Sequence, residues 1–432
     1  MRKSLCVILV IGFIGAQIAM AGGTQEQGKA ASSAPVTLRW LVHPAYSPSG
    51  TDPKRVAYLK GALAAWQANH SNVKLQMELL ATNENEAMAK LLEEAAAHQA
   101  PDVAQIDSFV FTNYLPYLQP LDGLMAKYGP KKDDFFGFAT NLTSGKDGKL
   151  YGAQFTTDAR ILYYRTDLVP NPPKTWADVL AIAPKLKAEG YIPILMPAGR
   201  AEGASMTSIE PSFWGQGGKL VDSSGKPVFG EGANKQDLIN ELAFIKTLVD
   251  KGYMPSRVAN YGNESDLNTE VATGKVAMFM GGSWQASQLQ SIIGADQLAK
   301  WGVAPIPGAT ADQTSTANGG WVWGIFTPDP AKQDLAYSLV DSLYIGDPGM
   351  AKWTTIAGYL PTRKSVYDSP DFGKNRFTTA FEQIINKYGH LRPVAAAYPK
   401  ISVALQIALS SVVSGSATPA QAVENAWTSV TQ

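Results

Sequence analysis

The sequence predicts an α/β protein of two units, each a mainly parallel sheet flanked by helices. Its 432 residues, of which 45% are hydrophobic and 17% charged, are enough to form two globular cores. From residue 36 onward, strand patterns alternate with helix patterns, which is typical of parallel sheets covered by helices. A second alternating series begins after residue 155, and it predicts the second unit.

The first 21 residues have the pattern of a cleavable secretory signal peptide. Arg2 and Lys3 precede a short apolar stretch, and Ala19, Met20 and Ala21 form a small-x-small cleavage site. The alternative is an N-terminal membrane anchor, for which the apolar stretch is short. We expect cleavage after Ala21, a flexible tether over residues 22 to 35, and a periplasmic location for the mature protein.

The charge balance excludes nucleic acid and anionic membranes as expected partners. Cleavage would remove two of the 37 basic residues and none of the 37 acidic ones, leaving 35 against 37. The only cysteine, Cys6, lies in the signal segment, so we expect a mature chain without disulfides and without the lipid anchor of lipoproteins.

The first unit begins with the strand "VTLRWLV" at residues 36 to 42. Helical spacing of Val56, Leu59, Leu63 and Trp66 predicts a helix over residues 54 to 70. A strand at 73 to 80, a helix at 84 to 99 and a short buried strand ending at Asp107 follow. Ligands bind beyond the carboxyl ends of such strands, where His43 and Asp107 lie. Asp107 could equally cap the segment that follows it.

The second unit repeats the alternation. Its helix after the Pro-rich loop has Thr175 as N-cap with Asp178 three residues later, and it ends at Gly190. Thr418 as N-cap and Pro419 at the first helical position predict a closing helix. The remaining predicted elements are strands in 161 to 169, 191 to 197 and 274 to 284, and a helix in 235 to 252.

Two tryptophans follow glycine-rich strand ends, where an indole can face a cleft. They are Trp284 in "GGSW" and Trp321 in "ANGGWVWGIF", with Gly319 and Gly320 leaving room for a ligand. The alternative is a glycine-kinked core strand. Trp323 has the same side-chain parity as Trp321, so it either lines the same cleft or is turned away by the glycines. Three other tryptophans on helical patterns are predicted to be core: Trp66, Trp176 and Trp427.

Motifs for catalysis and metal binding are missing from the sequence. The four histidines have no zinc-site spacing, and no phosphate loop, dinucleotide fingerprint or nucleophile elbow occurs. We expect no metal, no cofactor and no catalysis. The alternative class is a secreted glycosidase that uses two of four acids across a cleft, namely Asp107, Asp158, Glu202 and Glu210.

Taken together, seven segments resemble the extracellular solute-binding proteins of bacterial ABC importers, specifically the family 1 sugar-binding cluster with the maltose- and trehalose-binding proteins. The resemblance covers nearly the whole mature chain. The segments are "APDVAQIDS" (100 to 108), "GKLYGAQFTTDARILYYRTDLVPNPPKTWADV" (148 to 179), "GQGGKLVDSSGK" (215 to 226), "ATGKVAMFMGGSW" (272 to 284), "VAPIPG" (303 to 308), "NGGWVWGI" (318 to 325) and "AGYLPTRKSVYDSP" (357 to 370).

This resemblance implies the type II periplasmic-binding-protein fold, two lobes with the ligand clamped between them. It places chain crossovers near residues 154 to 156, 304 to 308 and 344 to 350. Lobe 1 would comprise residues 36 to 155 and 308 to 345, and lobe 2 residues 156 to 304 and 350 to 432.

The resemblance also implies the ligand-binding residues and the partners. The implied partners are a sugar and the membrane permease of the importer, and the protein is expected to be a monomer. Alternatives are another polar solute, such as a glycerol phosphodiester or a polyamine, or an additional chemotaxis receptor partner. The implied ligand-binding residues are Asp107, Asp158, Trp284, Gly319, Gly320, Trp321 and Arg363, with His43 and Tyr46 in the first-strand loop and Glu210 and Trp214 in the 197 to 218 loop.

Overall fold

The computed structural model describes residues 35–81 and 83–432. The predicted signal peptide, 1 to 21, and the predicted tether up to residue 34 lie outside the described residues. The strands are β1 (Val36–Val42), β2 (Val73–Leu79), β3 (Val103–Asp107), β4 (Ala153–Gln154), β5 (Asp158–Arg165), β6 (Met278–Gly282), β7 (Trp301–Ala304), β8 (Thr316–Gly319), β9 (Trp321–Ile325) and β10 (Gly389–Leu391).

Helices cover both sheets that these strands form. They are α1 (Pro53–Asn69), α2 (Glu84–Ala96), α3 (Asp122–Tyr128), α4 (Gly137–Thr143), α5 (Trp176–Ala188), α6 (Glu202–Ser208), α7 (Glu210–Gly215), α8 (Gly232–Asp250), α9 (Asn268–Ala272), α10 (Gln285–Leu298), α11 (Pro330–Val340), α12 (Gly349–Ala357), α13 (Thr378–Tyr388), α14 (Tyr398–Val413) and α15 (Pro419–Thr431). In the described part of the chain, no helix is both long and apolar enough to cross a membrane.

Local capping explains where several helices begin. The Asp52 carboxylate accepts hydrogen bonds from the first free N–H groups of α1, and Asn83 does the same for α2. Thr175 forms a capping box with Asp178 at α5, and Thr418 forms one with Gln421 at α15. Both threonine N-caps expected from the sequence are therefore confirmed.

The first sheet has the strand order β2-β1-β3-β9-β4. β1 runs parallel to β2 and β3, as the alternating pattern predicts, whereas β9 is antiparallel to β3 and β4. The antiparallel register sets Asp107 opposite Trp321. Two predicted site residues therefore lie side by side at one sheet edge.

The second sheet has the order β10-β8-β5-β6, with β7 also paired to β5. β5 is antiparallel to β6, β7 and β8. The α/β class with two sheets is confirmed, but the expectation of a mainly parallel second sheet is wrong. Strands from distant parts of the chain enter this sheet, and consecutive strand-helix alternation does not reveal their direction.

Residues 191–197, predicted as a strand, form only isolated bridges. Ile192 pairs with Val276 and Leu195 with Phe279, both in parallel orientation. Pro193 and Pro197 have no N–H to donate, so the ladder cannot continue through them. The segment follows the edge of the second sheet without becoming a full strand.

Among the described strands the chain passes between the sheets three times, from β4 to β5, from β8 to β9 and from β9 to β10. The first two passages form two adjacent crossing segments, residues 155–157 and Gly320. It leaves the first sheet after Gln154, enters the second at Asp158, and returns at Gly320, between β8 and β9. β8 pairs with β5 of the second sheet, and β9 pairs with β3 and β4 of the first. The crossovers near 154 to 156, 304 to 308 and 344 to 350 and the lobe boundaries stay predictions.

Gly320 is required at this return. Its φ of +136° is a conformation that side chains rarely adopt, and a Cβ there would lie 2.1 Å from the Thr156 carbonyl oxygen. The neighbouring Trp321 N–H donates to Thr156 Oγ1 at 3.3 Å. The two crossing segments are thus packed directly against each other.

Candidate functional site

A cavity of about 470 Å³ lies where the two crossing segments meet, within the range of roughly 300–1,000 Å³ that is typical of small-ligand sites. Gly319, Gly320 and Trp321 form part of its wall. Residues near β1 and β3 line one side, and residues near β5, α6 and α10 line the other. The cavity therefore draws on both sheets.

Eight of the eleven predicted ligand-binding residues line this cavity. The structure thereby brings together residues that are up to 278 positions apart, from His43 to Trp321. Whether they contact a ligand stays a prediction. The eight are His43, Tyr46, Asp107, Asp158, Trp284, Gly319, Gly320 and Trp321.

Aromatic side chains form one continuous wall of the cavity. The Trp321 ring centroid lies 5.2 Å from that of His43 and 5.9 Å from that of Tyr46. Tyr46 stacks on Tyr359 at 5.4 Å with an interplanar angle of 15°, and Tyr359 lies 5.9 Å from Trp284. Aromatic faces of this kind pack against flat, apolar faces of a ligand.

Trp323 belongs to the core and not to the cavity wall. It is 1% exposed, and its ring packs on Phe155 at 5.5 Å, on Tyr344 at 5.1 Å and on Trp40 at 6.3 Å. The shared parity with Trp321 is real, since both follow the period of β9. Only Trp321, at the end of the strand, reaches the cavity.

Arg392 joins acidic groups from both sides of the cavity. Its Nη2 donates to Asp107 Oδ1 at 2.6 Å and to Ser108 Oγ at 3.0 Å, and its Nη1 donates to Glu202 Oε1 at 3.1 Å. The guanidinium also lies over the Phe109 ring at 4.7 Å. Asp107 thus binds a distant arginine and also accepts a hydrogen bond from the Phe109 N–H at 3.3 Å, the local capping alternative.

Arg160 has the same arrangement on the opposite side. It bonds to Asp158 through Nη1 and to Glu264 Oε1 at 3.0 Å through Nε, and it lies over the Trp284 ring at 4.8 Å. The Asp158 carboxylate also accepts from the Gly319 N–H at 3.0 Å. This second cluster fixes the orientation of Trp284 and of the crossing segment.

Three buried polar atoms of cavity-lining residues have no hydrogen-bond partner among the described residues. They are the Nε atoms of Arg55 and Arg392 and Oε2 of Glu84. Arg55 is 2% exposed; its Nη2 donates to the Ala357 carbonyl at 2.7 Å, and its guanidinium lies 5.6 Å from the Tyr359 ring centroid. Unpaired buried polar groups are costly, so these atoms indicate where a polar ligand would bind.

Burial shifts the pKa of two cavity groups. It raises the pKa of Glu84 to about 8, with a further contribution from the negative charges of Asp107, Glu264 and Glu202. Burial lowers the pKa of His43 to about 4, and the imidazole Nδ1 accepts a hydrogen bond from the Ala45 N–H at 3.1 Å. At neutral pH His43 is therefore uncharged.

Arg363 does not line this cavity, so the structure does not bring it together with the eight residues that do. Its Nε donates to Asp134 Oδ2 at 2.8 Å, its Nη1 to the Ile345 carbonyl at 2.9 Å, and its Nη2 approaches Asp347 Oδ2 at 3.3 Å. These partners accept hydrogen bonds from all three nitrogens of the guanidinium group. Arg363 fixes surrounding loops instead.

Glu210 and Trp214 also lie outside the cavity lining. Burial and the charge of Glu202 raise the pKa of Glu210 to about 8. The Tyr398 hydroxyl lies 2.7 Å from both Glu202 Oε1 and Glu210 Oε1; since it has one proton, a proton held on Glu210 supplies the second hydrogen bond. Trp214 stacks on His390 at 4.1 Å. Through Tyr398, Glu210 is linked to the cavity-lining Glu202.

Some residues of the site had a sequence signal and others had none. Arg160 follows Asp158 by two positions, so strand parity alone would place the two side chains on one face. Tyr359 stands in the segment "AGYLPTR", four positions before Arg363. Arg55, Glu84 and Arg392 have no local pattern that distinguishes them from surface residues. Within the described residues, no cluster of histidine, cysteine and carboxylate side chains could hold a metal ion.

Comparison with known proteins agrees with this architecture. The maltose-bound MalE3 structure of T. maritima superposes with a TM-score of 0.78 at 23% identity, covering 91% of this chain and 99% of that one, which shows a two-lobed type II periplasmic-binding-protein fold. The sn-glycerol-3-phosphate-binding periplasmic protein UgpB of Escherichia coli strain K12 is 27% identical over 318 residues, 66% of this chain and 67% of UgpB.

This chain is also similar to a maltodextrin-binding protein, and most of it matches one protein family. The maltodextrin-binding protein MdxE of Bacillus subtilis strain 168 is 24% identical over 258 residues, 57% of each chain. Residues 61–380 match the family described as bacterial extracellular solute-binding protein. That match covers most of the chain, in agreement with the resemblance seen in its motifs. The protein therefore belongs to the bacterial extracellular solute-binding protein family.

Proposed function

We propose that this protein is the sugar-binding component of a bacterial ABC importer and that its sugar binds in the cavity at the two crossing segments. The observation that carries the proposal is the set of three unpaired buried atoms beside the aromatic wall. A sugar offers hydroxyl groups that both donate and accept hydrogen bonds, and flat C–H faces that pack on indole and phenol rings.

Each unpaired atom has a matching sugar group. The two arginine Nε–H groups require acceptors, which hydroxyl or ring oxygens supply, and Glu84 Oε2 can accept from a hydroxyl or, when protonated, donate to it. Trp321, Tyr359 and Trp284 supply the packing surface. Among the relatives, MdxE is named for maltodextrin and MalE3 holds maltose, which supports a carbohydrate ligand.

A phosphate-bearing solute fits the cavity less well, although UgpB is named for sn-glycerol 3-phosphate. Arg160 and Arg392 are each already bound to two carboxylates. Of the three arginines that line the cavity, only Arg55 has no carboxylate partner among the described residues. An anion entering this cavity would face uncompensated negative charge.

A linear polyamine and a glycosidase reaction also fit less well. A polyamine would leave the arginine Nε atoms without acceptors. For hydrolysis, one acid must protonate the leaving group while a second carboxylate acts from the other side. Asp107, Glu202 and Asp158 are engaged by arginines, and Glu210 lies outside the cavity. The relatives are binding proteins, which supports capture and release without chemistry.

Delivery follows from the two-lobed fold. Ligand contacts to both sides of the cavity favour a closed form, and the permease then distinguishes closed from open protein. We expect the mature protein to act as a periplasmic monomer after removal of residues 1–21.

Analysis of the small molecules released by denaturation tests the proposal. Protein purified without added sugar is denatured, and the filtrate is examined by mass spectrometry against a mock purification. We expect a mono- or oligosaccharide in an amount comparable to the protein. A phosphodiester or polyamine in that amount would contradict the proposal, as would release of hydrolysis products during incubation with the identified sugar.

A further inference from the structure

Carboxylates outnumber arginines around the cavity. Among the described residues, six acidic side chains line it against three arginines, and His43 is uncharged. Arg160 and Arg392 each bond to two carboxylates, so each of these clusters retains one net negative charge. The six acids are Glu84, Asp107, Asp158, Glu202, Glu264 and Asp266.

Among the described acids of the cavity, Glu84 is the one with a buried carboxylate oxygen and no cationic partner. It is the first residue of α2, and Asn83 caps that helix. Its Oε2 is buried without a hydrogen-bond partner among the described residues, and no arginine or lysine there pairs with it. Asp266, by contrast, is exposed and accepts from the Asn263 N–H at 3.0 Å. Glu84 is therefore the buried carboxyl of the cavity that is left for a cationic group of a ligand.

We infer that the site selects a sugar that carries a protonated amine, with the ammonium group bound by Glu84; this inference rests on the proposed sugar-binding function. An ammonium group brings the positive charge that the cavity lacks and donates to the unpaired oxygen. The hydroxyl and ring oxygens of the same molecule accept from Arg55 Nε and Arg392 Nε, which a simple amine cannot do.

The raised pKa of Glu84 agrees with this arrangement. Burial and the neighbouring charges of Asp107, Glu264 and Glu202 raise that pKa to about 8, so the empty site holds a proton on this carboxyl at neutral pH. The negative charges of Asp107, Glu264 and Glu202, which contribute to this shift, also attract an ammonium ion. Binding then exchanges the proton of Glu84 for the cation of the ligand.

Calorimetric titration with matched sugar pairs tests the inference. The pairs are glucose with glucosamine, galactose with galactosamine, and cellobiose with the corresponding β-1,4-linked diglucosamine, each with the N-acetyl form as an uncharged amide. We expect the amine of at least one pair to bind about tenfold or more tightly than both uncharged forms. Glu84→Gln should abolish that preference, whereas Glu86→Gln, on the exposed side of the same helix turn, should keep it.

The outcomes distinguish a failure of the ammonium site from a failure of the sugar-binding proposal. A neutral sugar that binds as tightly as its amine overturns the ammonium site and leaves the sugar-binding proposal standing. Spermidine binding more tightly than every amino sugar overturns both, and so does the absence of heat with all sugars. Circular dichroism of Glu84→Gln checks its folding, and the wild-type pairs decide the question if that variant does not fold.

Discussion

At the residue scale, Trp321 and Trp323 show how two side chains on one strand face can have different roles. Trp321 lies at the cavity beside His43 and Tyr46, whereas Trp323 is enclosed by Phe155, Tyr344 and Trp40. The two roles differ because Trp321 is the first residue of β9 and Trp323 lies in its middle, although both side chains have the same parity.

We therefore expect Trp321→Ala and Trp323→Ala to separate binding from stability. Trp321→Ala should weaken sugar binding by about tenfold or more because it removes the packing surface. Trp323→Ala should lower the free energy of unfolding by about 3–5 kcal/mol because it leaves a large cavity in the core. Calorimetry and urea unfolding measure the two effects. Equal losses of affinity in the two variants would show that both indoles belong to the site.

Because His43 is buried, we expect the folding stability of the protein to depend on pH. Burial lowers its pKa to about 4, below the ordinary value of 6.5. As the pH falls from 6.5 toward 4, the unfolded chain takes up a proton on this residue that the folded protein does not, so folding stability is lost in that window.

The free energy of unfolding, measured without ligand near pH 7 and near pH 5, tests this expectation. His43→Asn keeps an acceptor for the Ala45 N–H and removes the titration, so it should lose less stability than the wild type over this interval. His98→Asn, at an exposed position with φ +56°, serves as control and should behave as the wild type does. The same loss in all three proteins would contradict the role given to His43.

Site residues that stand in a local sequence motif could be predicted, whereas contacts between residues far apart in the sequence could not. The Gly-Gly-Trp and Gly-Ser-Trp runs pointed to Trp321 and Trp284, which do line the cavity. Arg392 binds Asp107, which is 285 positions away in the sequence. No local sequence pattern near either residue indicates this ion pair. Arg363 stands in a motif of the family but has its partner, Asp134, 229 positions away.

At the scale of elements, Gly320 connects β8 of the second sheet to β9 of the first. Gly320→Ala should destabilise the protein more than Gly274→Ala, although both glycines have positive φ. At Gly320 the new Cβ would collide with the Thr156 carbonyl, whereas at Gly274, with φ +73°, it would meet nothing within 4 Å.

Urea unfolding of the two variants measures this difference. Gly274→Ala should cost about 1 kcal/mol, the strain of the left-handed conformation alone, and Gly320→Ala should cost clearly more. If the two variants were equally stable, the close approach of the crossing segments at Thr156 would be refuted.

Segment 191–197 shows why strand patterns fail at sheet edges. Its residues are apolar and include two prolines, Pro193 and Pro197, and the hydrophobic pattern alone gives a strand. The backbone bonds from Ile192 and Leu195 to the β6 side are present, but Pro193 and Pro197 break the ladder between and after them.

At the scale of the whole molecule, the sequence predicted the α/β class and the order β1-α1-β2-α2-β3 because hydrophobic periodicity is a local property. It could not predict the antiparallel insertion of β9 into the first sheet or the pairing of β5 with β8, which join residues more than 150 positions apart.

Ligand-induced closure should change tryptophan fluorescence. Trp284 and Trp321 both line the cavity, and Trp284 also lies over Arg160, so a bound sugar alters their surroundings directly. We expect the emission to change with sugar concentration in the wild type and to stay nearly constant in a Trp284→Phe, Trp321→Phe double variant. A change of equal size in the double variant would place the responding tryptophan elsewhere.

Calorimetric titration of the mature protein with a broad panel of neutral and amino mono- and oligosaccharides tests the central claim most directly. The account predicts one-to-one binding of one or a few sugars with micromolar-range affinity, a free energy of roughly −8 kcal/mol, which Trp321→Ala weakens. No heat with any sugar of the panel, from protein freed of bound ligand and shown to be folded, would contradict it.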